Sequence, residues 1–204
     1  MEIPLTEGWK FKQSSTLNSI AQDWLPVSQF PTVAHIDLLY HKLIPDPYID
    51  KNELEALWVN DADWTYRTTE FPNIAEHSDI MEIGGDRRAV LVFEGLDTVC
   101  DVYFLGEKVL EARNMHRSYR VDVTDVLGKW AEGGKGKEEK MLELRFRAAP
   151  KYGQDELKRI GYKGNGKDVH FGGGERLFVR KAQYHWGWES VLLLYLTFLP
   201  TAPC

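Results

Sequence analysis

From residue 89 onward, short apolar or alternating stretches follow one another, separated by turns. Tyr119, Val121 and Val123 alternate with polar residues, so this stretch has one buried face and one face in water. Short strands at such spacing are typical of an antiparallel sandwich. The stretches that we predict as strands are 89–94, 99–105, 109–110, 119–123 and 142–146, and residues 64–71 also alternate aromatic with polar side chains.

The N-terminal part of the chain mixes turns with short helical patterns. Apolar residues spaced three to four apart predict one or two helical turns at 33–39. Pro45 and Pro47 hold the chain around them extended, and Asp46 between them is predicted to accept a hydrogen bond in a turn. Residues 1–30 are rich in turns, with scattered core anchors at Trp9, Phe11, Trp24 and Leu25.

A second short helix is predicted after Asp50. Asp50 matches a helix N-cap, with Glu53 in the reciprocal capping position. The helix is expected to end near residue 61, and its apolar positions share one face: Leu54, Leu57 and Trp58. The expected fold is therefore an all-β jelly-roll sandwich with one or two short N-terminal helices.

Two stretches are predicted to be loops. Residues 131–140 combine glycines with charges, as a flexible insertion between strands does. Residues 161–174 contain six glycines, but Gly164 to Lys167 lacks the glycine spacing and the following Ser or Thr of a phosphate loop. A loop beside a binding face is the interpretation that we favour.

Composition indicates one globular domain. The chain has 204 residues, of which 43% are hydrophobic and 27% charged, and its net charge is −6. This balance argues against nucleic acid as a partner, because phosphate binding needs a basic face. The two cysteines, Cys100 and Cys204, are too few for a disulfide framework.

The sequence also predicts the cellular location of the protein and whether it binds a metal ion. The N-terminus has acidic residues where a signal peptide has an apolar core, and the longest apolar run, 191–199, is too short to cross a bilayer. A cytoplasmic protein without membrane contact is expected. His35 and His185 lack the spacing of metal ligands, so neither a metal nor another cofactor is expected.

The most informative chemistry lies at Trp186, Gly187, Trp188 and Glu189. An aromatic ring can stack on the apolar face of a pyranose, while a carboxylate accepts hydrogen bonds from sugar hydroxyls. Trp188 and Glu189 are therefore the candidate substrate-binding residues. Trp188 fits a core residue that closes the sandwich equally well, Glu189 also fits a solvated surface glutamate, and Trp186 is more typical of a structural residue.

The charged residues near this motif and the other carboxylates in the sequence give weaker indications of a functional site. Arg180 and Lys181 could orient Glu189 or contact an anionic group, but we favour a charged patch at the end of a strand. Retaining glycosidases need two carboxyls about 5–5.5 Å apart, one of them in an apolar pocket, and no pattern in the sequence indicates this. No nucleophile elbow is present either. No catalytic residue is therefore predicted in this chain.

Five blocks of the sequence, taken in order, match the pattern of one known family. They are PTVAHIDLL at 31–39, IPDPY with NE at 44–53, W with DWTY at 58–66, FEGLDTV with NMH at 93–116, and VRKAQYHWGW at 179–188. They resemble the N-terminal domain of β-mannosidases of glycoside hydrolase family 2, of the fungal intracellular type. The chain departs from the family at Glu189, where the family has aspartate, and at Ser190, where it has tryptophan.

The resemblance implies a galactose-binding-like jelly roll over residues 1–189 and a divergent tail at 190–204. In full-length members it implies a following immunoglobulin-like sandwich and a catalytic barrel, whose two glutamates perform retaining hydrolysis. The carboxylate of the motif then contacts hydroxyls of the terminal mannose. In this chain that role falls on Glu189, beside Trp188.

The function implied by the resemblance is that of the N-terminal domain of a β-mannosidase, which hydrolyses terminal non-reducing β-D-mannose in glycans. The expected partner is a β-mannoside glycan, and the chain is expected to be inactive without the barrel. Two alternatives stay open. One is a stand-alone carbohydrate-binding module; the other is a non-functional truncated fragment, in which 191–196 either pairs in place of the last strand or stays exposed.

Overall fold

A computed structural model describes residues 3–14, 20–68, 88–132, 141–161, 174–186 and 194–201. The strands are β1 (Ile3–Pro4), β2 (Trp9–Gln13), β3 (Leu25–Pro26), β4 (Trp64–Thr68), β5 (Arg88–Leu96), β6 (Val99–Phe104), β7 (Glu107–Ala112), β8 (Tyr119–Asp122), β9 (Leu142–Arg147) and β10 (Leu194–Thr201). The helices are α1 (Ala34–Tyr40), α2 (Asn52–Ala56), α3 (Thr124–Glu132) and α4 (Ala149–Ile160), with 3-10 turns at Leu57–Asp61, Gly174–Phe178 and Gln183–Trp186.

The strands form two antiparallel sheets. One has six strands in the order β3-β2-β4-β9-β6-β7, and the other has four in the order β1-β10-β5-β8. The prediction of a β-sandwich with short N-terminal helices is thereby confirmed. Strands that were predicted from residue 89 onward are present at nearly the expected bounds, and β2 is an additional strand built on the anchors Trp9 and Phe11.

Aromatic rings from neighbouring strands form the centre of the six-stranded sheet. Phe11 on β2 lies opposite Tyr66 on β4, and their rings stack with centroids 5.8 Å apart. Tyr66 in turn meets Phe146 of β9 edge-on at 6.1 Å. All three side chains are buried. Burial of each such ring contributes about 1.5–3 kcal/mol and each good ring pair adds about 0.5–1.5 kcal/mol, so this row of rings fixes the register of three strands.

The apolar run near the end of the sequence forms β10, which lies between β1 and β5. Phe198 pairs with Ile3 on one side and with Leu91 on the other. Of the two possibilities left open for residues 191–196, pairing in the sheet is the one observed for residues 194–196, whereas 191–193 lie outside the described residues. Pairing removes the free strand edge that would otherwise invite aggregation.

The two N-terminal helices agree only in part with the prediction. Helix α1 lies where the apolar spacing placed it, but α2 begins at Asn52 without a side-chain cap. The Asp50 N-cap prediction is therefore wrong, and Asp50 itself has a left-handed backbone with φ 51°. The amphipathic face is also wrong for two of its positions, because Leu54 is 59% exposed and Leu57 is 53% exposed.

Helices α3 and α4 are not predicted from the sequence. Helix α3 extends to Glu132, into the stretch interpreted as a loop, and residues 133–140 lie outside the described ranges. Helix α4 has Pro150 in its first turn and ends at Gly161, whose φ of 69° is the left-handed cap conformation that favours glycine. None of the described helices is long and apolar enough to cross a membrane.

Candidate functional site

The two substrate-binding candidates, Trp188 and Glu189, lie outside the described residues. The structure does describe the chain up to Trp186, where the 3-10 turn Gln183–Trp186 ends. The residues that fix this turn therefore determine the position at which the described chain ends before the candidate residues. They come from three separate parts of the sequence.

A buried ion pair fixes the start of this turn. Asp97 lies in the connection between β5 and β6 and is 2% exposed, while Lys181 is 8% exposed. Lys181 Nζ donates to Asp97 Oδ2 at 2.5 Å, and the Thr98 hydroxyl donates to Asp97 Oδ1. His185 Nδ1 lies 3.4 Å from Asp97 Oδ2, so the carboxylate is close to both ends of the segment 181–185.

Burial and ion pairing shift the pKa values of Asp97 and Lys181 in opposite directions. Burial raises the pKa of the Asp97 carboxyl, while Lys181 and His185 oppose the rise by stabilising its negative charge. Burial likewise lowers the pKa of Lys181, and the Asp97 carboxylate opposes this change. Each partner therefore stabilises the charged form of the other against the effect of burial, and loss of either partner would leave a buried charge.

Backbone contacts from a second segment support the same region. Asn114 and Arg180 form a parallel bridge, in which Met115 N donates to Arg180 O at 3.1 Å. Ala182 N donates to the sulfur of Met115 at 3.0 Å. The Tyr119 hydroxyl, in turn, donates to Asn114 O at 2.9 Å and fixes the turn that carries Met115. The FEGLDTV and NMH parts of the fourth sequence block thus both contact the VRKAQYHWGW block. The first part does so through Asp97 and the second through Met115.

The favoured interpretation of the two basic residues is wrong for Lys181. Arg180 is exposed, as a residue of a charged patch at a strand end would be. Lys181 is instead buried and paired with Asp97. The sequence does not identify Asp97 as a partner of Lys181, because an ion pair across 84 residues leaves no local spacing signal.

A small cavity of about 50 Å³ borders the ion pair. It is lined by Asn60, Trp64, Arg147, Asp97 and Lys181, among others, and Asn60 Oδ1 is buried without a hydrogen-bond partner among the described residues. Sites for small molecules usually measure roughly 300–1,000 Å³, so the cavity is too small for a sugar ring. It has room for a water that would satisfy Asn60 Oδ1.

Other candidate residues can be placed. Asp46 Oδ1 accepts a hydrogen bond from Tyr48 N at 3.0 Å, which confirms its predicted role in a turn. Trp186 is partly buried, and its Nε1 has no hydrogen-bond partner within the described ranges. Within those ranges no group of three or more His, Cys, Asp and Glu residues is arranged to hold a metal ion.

The sequence matches a known family over most of its length. The family described as glycosyl hydrolase 2 galactose-binding domain-like matches residues 9–194. Curated relatives include beta-mannosidase B of Thermothelomyces thermophilus, 43% identical over 92% of this chain and 19% of that protein. Beta-mannosidase B of Aspergillus oryzae is 41% identical over 92% of this chain and 20% of that protein. The chain therefore spans about one fifth of the length of these relatives.

Solved structures give the same result. A beta-D-mannosidase from Dictyoglomus thermophilum matches with a TM-score of 0.71 and 28% identity, over 98% of this chain and 22% of that one. The Amycolatopsis orientalis exo-chitosanase CsxA, with a TM-score of 0.54 and 14% identity over 98% of this chain and 21% of that one, shares the fold alone. With its sandwich and its five blocks of sequence, this chain belongs to the glycosyl hydrolase 2 galactose-binding-like family, as the N-terminal domain of a β-mannosidase.

Proposed function

We propose that this domain supplies part of the sugar-binding site of a β-mannosidase that removes terminal non-reducing β-D-mannose from glycans. Glu189 accepts hydrogen bonds from hydroxyls of that mannose, and the Trp188 ring packs against its apolar face. The hydrolysis itself, by a retaining mechanism with two glutamates, belongs to a different part of such an enzyme. The domain therefore contributes recognition, and the bond is broken elsewhere.

The observation that carries this proposal is the buried Asp97–Lys181 pair at the base of the candidate segment. A sugar contact requires the carboxylate to be held within a few tenths of an ångström, since hydrogen bonds weaken steeply with poor geometry. A segment fixed at Asp97 and at Met115 begins from a defined position. Such a position is what a domain needs when it presents a side chain to a substrate held by another domain.

The proposal is tested by the kinetics of a chimaera. In it, this chain replaces the aligned 189 residues of the Thermothelomyces thermophilus beta-mannosidase B. Glu189→Gln removes the charge of the acceptor, and a hydrogen bond to a charged group contributes about 1.5–3 kcal/mol, so kcat/KM for an aryl β-mannoside should fall about ten- to a hundredfold. Glu94→Gln, an exposed glutamate on β5, is the matched control and should change nothing. Equal kcat/KM values in both variants would contradict the proposal.

A further inference from the structure

Exposed apolar side chains are concentrated in one stretch of this domain. Ten large apolar side chains are exposed among the described residues, and seven of them lie between residues 36 and 57. Isolated exposed apolar residues are common on protein surfaces, whereas a concentration of them marks an interaction site. The densest group, here called the Tyr48 patch, consists of Tyr48, Ile49, Leu54 and Leu57.

The side chains of the Tyr48 patch are strongly exposed. Tyr48 is 86% exposed and Ile49 is 55% exposed, while Leu54 and Leu57 each expose more than half of their surface. Leu54 and Leu57 are three residues apart across the junction of α2 and the following 3-10 turn, so they are neighbours on one helical face. An exposed tyrosine and three exposed aliphatic residues within ten positions of the sequence have the composition of the centre of a protein interface.

The backbone beneath the patch is held by its own hydrogen bonds. Asp46 Oδ1 accepts from Tyr48 N at 3.0 Å, and Asp46 O accepts from Ile49 N at 3.2 Å and from Asn52 Nδ2 at 2.9 Å. Asn52 N then donates to Ile49 O at 3.1 Å. The turn therefore presents Tyr48 and Ile49 in a fixed arrangement, which lowers the entropy cost of binding a partner.

Left-handed backbone conformations border this turn on both sides. Lys42 has φ 58° and Asp50 has φ 51°, and such values are uncommon for residues other than glycine. The strain is retained where the surrounding structure imposes it, and strained residues cluster at functional sites. The conformation of this segment is therefore imposed by the fold, although its side chains point to the surface.

The charges of the segment that carries the patch indicate the partner. Between residues 44 and 57 the charged side chains are Asp46, Asp50, Lys51, Glu53 and Glu55, so acidic residues dominate. A complementary surface is apolar at its centre with basic residues at its rim. The curated relatives contain about four fifths of their length outside the part matched by this chain, which is where a covering surface can come from.

We propose that the Tyr48 patch is the contact surface through which this domain packs against the remaining polypeptide of a β-mannosidase. The facing surface is apolar with a basic rim. This inference rests on the family membership and on the exposed side chains, and it is independent of the sugar contact at Glu189. Failure of one proposal therefore leaves the other standing.

Hydroxyl-radical footprinting of the isolated chain and of the chimaera described above tests this proposal. Tyr48 should be oxidised rapidly in the isolated chain and several-fold more slowly in the chimaera. Leu177 and Ile160, which are not members of the Tyr48 patch and are exposed by 55% and 52%, are the internal controls and should react alike in both proteins. An unchanged rate at Tyr48 in the folded chimaera would overturn the proposal, as would slower oxidation of the isolated chain at higher concentration, which would identify a second copy as the occupant.

Surface variants provide an independent measurement. Tyr48→Ser and Leu57→Ser should lower the thermal midpoint of the chimaera more than that of the isolated chain, because the apolar contact exists only in the former. Leu177→Ser should affect both proteins equally. If the chimaera does not fold, the footprinting is done on the full-length Thermothelomyces enzyme. Its residue aligned with Tyr48 should be oxidised slowly in the native enzyme and rapidly in urea. Equal rates in the two states would overturn the proposal.

Discussion

The carboxylate of Asp97 and the ammonium of Lys181 meet at 2.5 Å although they are 84 residues apart in the sequence. Asp97 belongs to the link between β5 and β6, and Lys181 begins the segment that leads to Trp188 and Glu189. Both side chains are less than a tenth exposed. The contact joins the sandwich to the segment with the sugar-binding candidates.

Lys181→Met should destabilise the domain strongly, because it leaves the Asp97 carboxylate buried without its cation. Breaking a buried pair from one side costs about 3–5 kcal/mol. Urea unfolding followed by circular dichroism measures this loss. Lys108→Met is the control and should cost far less, since Lys108 pairs with Asp101 and Glu111 at the surface, where solvent screens the ion pairs.

The double variant Asp97→Leu with Lys181→Met shows whether the stability is lost because a charge is left unpaired or because the side-chain shape has changed. It removes both charges and keeps apolar volume, so it should be clearly more stable than Lys181→Met alone. If the single and the double variant are equally unstable, shape rather than charge is what the pair contributes.

Gly153→Ala should destabilise the domain although alanine is the better helix former. A Cβ at Gly153 of α4 would lie 2.4 Å from the backbone oxygen of Glu175, so the helix and the turn Gly174–Phe178 would have to separate. Gly128→Ala in α3 is a matched control, because nothing lies within 4 Å of its added Cβ. That variant should stabilise the domain by about 0.5–1 kcal/mol. Thermal unfolding of the two variants should move in opposite directions.

Asp37 should make stability fall as the pH rises. Burial raises the pKa of its carboxyl above the ordinary 3.8, against hydrogen bonds from Ser28, Thr32 and Tyr66. A raised folded pKa means that the contribution to stability is complete below the unfolded pKa and is lost as the pH rises through the folded pKa. Relative to Asp37→Asn, the free energy of unfolding of the unmodified chain should therefore decrease over that interval. An increase across the same interval would contradict this assignment.

Much of the fold follows from local patterns. Strands β5 to β9 are recognisable because their apolar residues recur between turns, and Asp46 is recognisable because prolines flank it. Helix α4 is harder to predict because its polar composition hides a short buried contact at Gly153, although Pro150 and Gly161 mark its ends. Leu54 and Leu57 follow a helical apolar spacing but are exposed, since the spacing does not show which face meets the core.

The site is less predictable than the fold for a physical reason. The sequence shows Trp188 and Glu189 as neighbours, but the residues that anchor their segment, Asp97 and Met115, come from distant parts of the chain. Pairing of this kind depends on the tertiary structure. The boundary at residue 189, the cytoplasmic location and the contact of Glu189 with sugar stay predictions.

The most direct test of the central claim is a crystal structure of the chimaera with a mannose-configured inhibitor bound. The predicted result places a carboxylate oxygen of Glu189 about 2.6–3.2 Å from a hydroxyl of the bound mannose ring, with the Trp188 ring against that sugar. A Glu189 side chain that points into solvent, with the sugar held entirely by other parts of the enzyme, would contradict the account.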